Sequence, residues 1–170
     1  MTATAPAFSL RDITGESRAF PTGRHSLICF VKEDCNTCNL TAPVLEAFHR
    51  AWGEKADVWM VGQSADGNAI LKDRHGLTLP ILDDSALRTS LAWGFDIVPA
   101  VYWIGADGTP RPPLEGFVRD EWEALAQRIA GELKAPAPEL AWSELPDWRP
   151  GCGSKHLDPE IHDRLLAETE

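Results

Sequence analysis

Apolar and polar positions change their period early in the chain, between residues 31 and 36. Residues 27–31 are consecutive apolar residues, a run typical of a strand buried on both faces. After a polar connection, apolar side chains recur at helical spacing until Gly53 can stop the helix: Leu40, Val44, Leu45, Phe48 and Trp52. Pro43 lies inside this helix and should kink it, because proline lacks the backbone N–H. The pattern predicts a buried strand joined to a kinked amphipathic helix.

The same reading continues to residue 133. Buried or edge strands are predicted at residues 58–62, 79–82, 101–104 and 114–118, and helices at residues 68–75, 86–93 and 120–133. Strands and helices alternate, and a final hairpin closes the sheet. The fold class is therefore α/β, a sandwich with a central mixed sheet flanked by helices.

The composition changes after residue 134, so we divide the chain into three parts. Residues 1–134 form the α/β domain, and residues 135–150 form a Pro-rich extended linker. Trp142 and Trp148 interrupt this linker, and because bare linkers rarely carry tryptophans we expect the segment to lie along the core. Residues 151–170 form a Gly-Cys-Gly tail and a short helix that starts at Asp158 and Pro159.

Charge and composition narrow the function. The net charge of −10 argues against nucleic acid or an anionic membrane as a partner. No apolar stretch approaches the ~20 residues of a membrane span, and the first residues lack the basic and apolar regions of a secretory signal. Four cysteines in 170 residues are not a disulfide scaffold. We therefore expect a cytoplasmic protein whose thiols cycle.

The candidate chemistry lies where the predicted strand meets the predicted helix. Cys35 and Cys38 form a C-x-x-C pair at the start of the helix. The unpaired N–H groups of a first helical turn favour a thiolate over a thiol, and the thiolate is the form that attacks disulfides. The address of the pair thus indicates redox chemistry.

Around this pair the chain resembles the thioredoxin superfamily. The resemblance rests on Cys35, Cys38 and Pro43, and on Val98-Pro99 downstream. At the level of subfamily, residues 8–15 look like the leading hairpin of TlpA-like and peroxiredoxin-like proteins, which adds an N-terminal hairpin to the predicted fold.

The resemblance implies a thiol-disulfide oxidoreductase that acts on protein disulfides through a mixed disulfide. In such proteins the first cysteine, here Cys35, attacks, and the second, here Cys38, resolves. The downstream proline is cis and faces the cysteines, so Val98 and Pro99 would shape the substrate groove. The partners would be a protein disulfide or thiol substrate and an electron-donor protein, with no cofactor.

Two positions near the cysteine pair depart from the family pattern, and one of them removes the usual proton acceptor. Cys29 stands where thioredoxins carry a buried aspartate, and Asp34 stands where they carry tryptophan. Glu33 or Asp34 could serve as the missing proton carrier. Their negative charges act to raise the pKa of Cys35, whereas the helix terminus and Lys32 act to lower it, and the sequence leaves this balance open.

Cys152 is a third candidate thiol. Its flanking glycines allow a close approach to another sulfur, and Lys155 and His156 could lower its pKa. It could act as a redox arm that attacks the Cys35–Cys38 disulfide or takes oxidation from it. The alternative is a loop cysteine that never meets the active site.

Three other functions stay open. Cys35, Cys38, Cys152 and His156 have ligand chemistry suited to zinc, copper(I) or mercury, as in a metal-binding or delivery protein. A thiol peroxidase is a second alternative, although Ile28 and Lys32 occupy the positions where the peroxidatic signature has its proline and hydroxyl. A non-catalytic interaction module is the third.

Overall fold

The computed structural model describes residues 4–168, so residues 1–3 of the predicted domain and residues 169–170 of the predicted tail lie outside it. An N-terminal antiparallel hairpin, β1 (Phe8–Arg11) and β2 (Ser17–Phe20), comes first, as the resemblance implies. The strands that follow are β3 (Ser26–Val31), β4 (Asp57–Gly62), β5 (Ile81–Asp83), β6 (Ile97–Val98), β7 (Ala100–Ile104), β8 (Leu114–Glu115), β9 (Phe117–Val118), β10 (Trp148–Arg149) and β11 (Cys152–Gly153). The helices are α1 (Asn36–Trp52), α2 (Ala65–His75), α3 (Arg88–Trp93), α4 (Arg119–Leu133) and α5 (Pro159–Glu168).

The central sheet is mixed, as predicted. Its five strands follow the order β5-β4-β3-β7-β8. β3 pairs parallel to β4, and β4 parallel to β5, whereas β7 runs antiparallel to β3 and to β8. All six residues of β3 are buried, which is the burial that its unbroken apolar run requires. The chain therefore leaves the centre of the sheet directly into α1.

Helix α1 is held against the sheet by one apolar face. Val44, Leu45, Phe48 and Trp52 are all at most 4% exposed, and Pro43 lies within the helix. Burying such side chains stabilises by roughly 1.5–3 kcal/mol each, so packing fixes the helix start over the end of β3. The cysteine pair lies at the start of this packed helix.

The region after β7 differs from its prediction. The single strand predicted at residues 114–118 is two short strands, because Gly116 has a positive φ of 79° and turns the chain between them. β8 stays on the central sheet, whereas β9 pairs with β10. The prediction of one hairpin strand was therefore wrong.

The prediction that residues 135–150 contain neither helix nor strand was also wrong. A 3₁₀ turn spans Trp142–Glu144, and β10 pairs Trp148 with Val118. Leu140, Trp142 and Leu145 pack against the core. In β10 the backbone N–H and C=O groups bond to β9 instead of to water, and this pairing helps to order the segment.

Helix boundaries moved by a few residues. α2 begins at Ala65 because the Ser64 side chain accepts a hydrogen bond from the Gly67 N–H, which is an N-cap that the pattern did not reveal. α3 begins at Arg88 rather than Ala86, since Leu87 precedes it in a left-handed conformation. Within residues 4–168, no helix combines the length and apolarity needed to cross a bilayer.

Candidate active site

Cys35 occupies the N-cap position of α1. Its backbone is extended, and its carbonyl accepts the N–H of Asn39 as the first helical bond. The Asn39 side chain reaches back to donate to the carbonyls of Glu33 and Cys35, at 2.9 and 3.0 Å. This one amide ties the polar connection to the helix, so the Cys35 thiol has a fixed position at the helix entrance.

The pKa of Cys35 is lowered to about 5. A hydrogen bond from the Cys38 thiol is the largest cause; burial works in the opposite direction, and a bond from the Cys152 thiol and the N–H groups of Cys38 and Thr37 add to the lowering. Sequence reasoning expected Glu33 and Asp34 to raise this pKa. The sequence left open the balance between these carboxylates and the helix terminus, and the hydrogen bonds at the helix start decide it in favour of a lowered pKa.

The second cysteine has the opposite character. Burial, followed by the bond to Cys35 and the charge of Cys35, raises the pKa of Cys38 well above its usual range. Cys29 is fully buried in β3, and burial raises the pKa of its thiol strongly. At neutral pH the site therefore holds one thiolate, at Cys35, with a protonated thiol at Cys38.

The two candidate proton carriers, Glu33 and Asp34, lie in the connection between β3 and α1. The Glu33 carboxylate is 4.0 Å from the Lys155 ammonium, and Asp34 is exposed. Among the residues described, no hydrogen bond joins either carboxylate to Cys38. A direct proton transfer from Cys38 to either group would need movement or a bridging water.

Val98 and Pro99 lie beside the thiolate. The peptide bond between them is cis, and both residues are buried. The Cys35 Sγ lies 3.7 Å from the Val98 carbonyl oxygen, and the Pro99 carbonyl accepts the N–H of Gly116 at 2.9 Å. The structure thus brings together the cysteine pair and the backbone predicted to form the groove.

Cys152 also reaches the site. β11 runs antiparallel to β6, and Cys152 lies opposite Val98 in this ladder. The Cys152 thiol lies close enough to Cys35 to be among the groups that lower the pKa of Cys35. Burial, followed by the bond to Cys35 and the charge of Cys35, raises the pKa of Cys152 to about 11. The expectation that Lys155 and His156 would lower this pKa was wrong, because Lys155 faces Glu33 and the burial of His156 lowers its own pKa and keeps the ring neutral.

A buried polar chain, which sequence reasoning missed, holds the tail in place. The Gln63 side-chain amide donates to Ser90 Oγ at 3.0 Å and to Ser154 Oγ at 2.7 Å, and its oxygen accepts the Lys155 N–H at 3.0 Å. Ser90 in turn donates to Asp84, and Ser154 lies 2.5 Å from His156 Nδ1. No periodicity links these positions, so only the polar character of Gln63 after an apolar strand could have signalled them.

The metal-site alternative does not assemble. His156 is 2% exposed, its Nδ1 faces Ser154, and its ring packs edge-on against Phe95. Between residues 4 and 168, no three His, Cys, Asp or Glu side chains are grouped so as to hold a metal ion. The prediction that Cys35, Cys38, Cys152 and His156 converge was wrong for His156, because this ring serves the buried polar chain.

Solved structures share the fold of this chain. A candidate thiol:disulfide interchange protein DsbE from Chlorobium tepidum superposes with a TM-score of 0.71 at 20% identity, covering 78% of this chain and 96% of its own. A candidate thioredoxin from Neisseria meningitidis gives 0.68 at 23% identity, covering 79% and 92%. A secreted disulfide oxidoreductase from Mycobacterium tuberculosis gives 0.61 at 19% identity, covering 73% and 95%.

No protein-family model and no curated protein sequence matches the chain, so the structural similarities inform only on its fold. The mixed five-stranded sheet, the N-terminal hairpin and the cysteine pair at the start of α1 agree with that architecture. The chain therefore has the thioredoxin-like fold, which Cys35, Cys38 and the downstream Pro99 predict from the sequence.

Proposed function

We propose that this protein is a thiol-disulfide oxidoreductase that acts on protein disulfides, with Cys35 as the nucleophile and Cys38 as the resolving thiol. One observation carries the proposal: Cys35 caps α1 with its Sγ 3.7 Å from the Val98 carbonyl oxygen, and in this position its pKa is lowered to about 5 beside a protonated Cys38. A thiol of that kind is a thiolate at neutral pH, and thiolates carry out disulfide exchange.

The chemistry proceeds in two exchanges. The Cys35 thiolate attacks one sulfur of a substrate disulfide, the substrate's other sulfur leaves as a thiolate, and a mixed disulfide forms at Cys35. Cys38 then loses its proton and attacks the Cys35 sulfur, which releases the second substrate thiolate. The substrate gains two electrons and the Cys35–Cys38 pair becomes a disulfide, which an electron-donor protein reduces again.

Resolution is helped by the first step itself. The charge of Cys35 and its hydrogen bond are among the causes that raise the pKa of Cys38. Once Cys35 is in a mixed disulfide, that charge is gone, so the Cys38 proton leaves more readily. Glu33 and Asp34 remain the predicted carriers of this proton.

The test is reduction of insulin disulfides by dithiothreitol with catalytic amounts of the protein. Wild type should accelerate the reaction, Cys35→Ser should abolish the acceleration, and Cys29→Ala should retain it. In glutathione buffers of graded potential, wild type should show a reversible two-electron transition. Insulin reduction by Cys35→Ser at the rate of wild type would reject the assignment.

The same preparations address the remaining alternatives. Peroxide consumption with a thioredoxin or glutathione donor, in the absence of insulin reduction, would replace this proposal with the thiol peroxidase. Inactivity in both assays would favour the non-catalytic module. A cytoplasmic location stays a prediction from the sequence.

A further inference from the structure

Cys35 is covered by the chain's own C-terminal segment. Its side chain is 0% exposed, although it is the activated thiol. The cover is β11, which forms an antiparallel pair with β6 and lies against the Val98 backbone. A buried nucleophile cannot meet a protein disulfide, so this segment must leave before an external substrate reaches Cys35.

The tail segment (residues 148–157) is anchored on both sides of Cys152. Before it, Thr37 of α1 donates to the Pro150 carbonyl at 2.5 Å. After it, the Ser154 N–H donates to the Asp96 carbonyl at 3.0 Å, and Gln63 holds Ser154 and Lys155. These contacts fix the register that places Cys152 opposite Val98.

Two glycines flank Cys152 and differ in their surroundings. A Cβ on Gly151 would lie 2.3 Å from Ile97 Cγ2 and 2.3 Å from the Val98 oxygen, so only glycine lets the backbone approach this closely. A Cβ on Gly153 would meet nothing within 4 Å. The close approach is confined to the side that brings the tail against Val98.

We propose that the tail segment is a tethered substrate strand: it occupies the strand position beside Val98 that an external polypeptide would take, and Cys152 forms a reversible disulfide with Cys35. This inference rests on the proposed function and deepens it. Strand addition at an exposed edge is a general mode of peptide recognition. The partner it implies is an extended polypeptide that presents a cysteine between small residues and pairs with β6.

The exchange balances without an external oxidant once the Cys35–Cys38 disulfide exists. The Cys152 thiolate attacks Cys35 Sγ, the Cys35–Cys38 bond breaks, and Cys38 leaves as a thiolate that takes up the proton lost by Cys152. The protein holds one disulfide before and after, so no net electrons move. An external thiolate or the reverse attack by Cys38 then frees Cys152.

The first test maps the disulfide in Cys38→Ala. After oxidation with oxidised dithiothreitol and acid quenching, peptide mass spectrometry should find a Cys35–Cys152 bond within one chain. Wild type treated in the same way should show Cys35–Cys38 together with Cys35–Cys152. A free Cys152 in oxidised Cys38→Ala would overturn the inference and leave the proposed function intact, since insulin reduction by wild type is measured separately.

The second test moves the strand without touching a cysteine. Gly151→Ala should dislodge the tail segment, and Gly153→Ala is its matched control in open space. If the tail is open in about one molecule in ten, dislodging it should raise the rate of insulin reduction roughly tenfold. Rates are compared at a pH at which Cys35 is a thiolate in every variant.

Thr37→Val, which removes the bond to Pro150, is a second way to loosen the tail and should act in the same direction. Trypsin cleavage after Lys155 reports whether the tail has moved. Faster cleavage with an unchanged or lower rate of insulin reduction would overturn the inference, because the tail would then complete the site instead of occupying it.

Discussion

The two segments that meet at Cys35 are held by different means. Residues 32–38, here called the cysteine loop, comprise the connection after β3 and the first residues of α1. They are held locally, because Cys35 caps α1 and the Asn39 side chain binds the Glu33 and Cys35 carbonyls. The tail segment is fixed by residues far away in sequence, namely Thr37, Gln63 and Val98. The nucleophile is thus held by residues next to it in the chain, whereas the proposed cover is held by residues distant from it in the chain.

The largest expected difference between the core and the tail segment is in how much their side chains contribute to the free energy of unfolding. Phe48→Ala, on the buried face of α1, should lower the free energy of unfolding by ~3–5 kcal/mol, because a fully buried ring leaves a cavity. Trp148→Ala, at 62% exposure in β10, should change it by less than ~0.5 kcal/mol. Urea unfolding measures both. Equal losses would mean that the tail segment belongs to the core.

A smaller loss is expected at the buried polar chain. Gln63→Ala removes one hydrogen bond each from Ser90 and Ser154 and leaves the Lys155 N–H without its partner, and an unsatisfied buried group costs ~1–3 kcal/mol. The tail should loosen as well, so trypsin should cut after Lys155 faster than in wild type. Gln127→Ala, on the exposed face of α4, is the control. Unchanged cleavage in Gln63→Ala would show that the tail is held elsewhere.

The same contrast explains what the sequence could predict. Residues 27–31 and the apolar stripe of α1 carry strong periodic signals, so the strand, the helix and the position of Cys35 at their junction follow from residues close together in the chain. The tail carries no such signal. Gln63, which follows β4, and Ser154, which follows β11, meet only in the folded chain, and so do Cys152 and Val98, which pair across β11 and β6. The direction of the Cys35 pKa shift could not be settled from the sequence for the same reason, since one of the groups that lower it comes from the tail.

The titration of Cys35 compares the two segments at one atom. Its pKa is depressed, so the fold favours the thiolate, and the corresponding stability of the reduced protein is present above the unfolded pKa and lost as the pH falls through about 5. Thiolate absorbance in the ultraviolet should show a midpoint near 5 in wild type.

Substitutions measure how much each segment contributes to the lowering of this midpoint. Cys38→Ala should raise it the most, because the Cys38 thiol is the largest cause of the lowering, and Cys152→Ala should raise it less. Cys29→Ala is the control, as Cys29 is absent from the causes acting on Cys35. A larger upward shift in Cys152→Ala than in Cys38→Ala would mean that the tail, not the cysteine loop, contributes most to the lowered pKa of Cys35.

The smallest effect on stability is expected at the ion pair that joins the two segments. Glu33 and Lys155 are 4.0 Å apart at the partly exposed rim of the site, and such pairs contribute ~0–1 kcal/mol. Glu33→Gln should therefore leave tryptic cleavage after Lys155 and urea unfolding nearly unchanged, with Asp66→Asn on α2 as the control.

The informative readout is the pH profile of mixed-disulfide resolution. A carboxylate that carries the Cys38 proton would slow resolution when it is replaced by an amide, whereas a carboxylate that only faces Lys155 would leave the profile as it is. We expect slower resolution if Glu33 is the carrier, and an unchanged profile in Glu33→Gln would leave Asp34, the exposed neighbour of Cys35, to be tested in the same way.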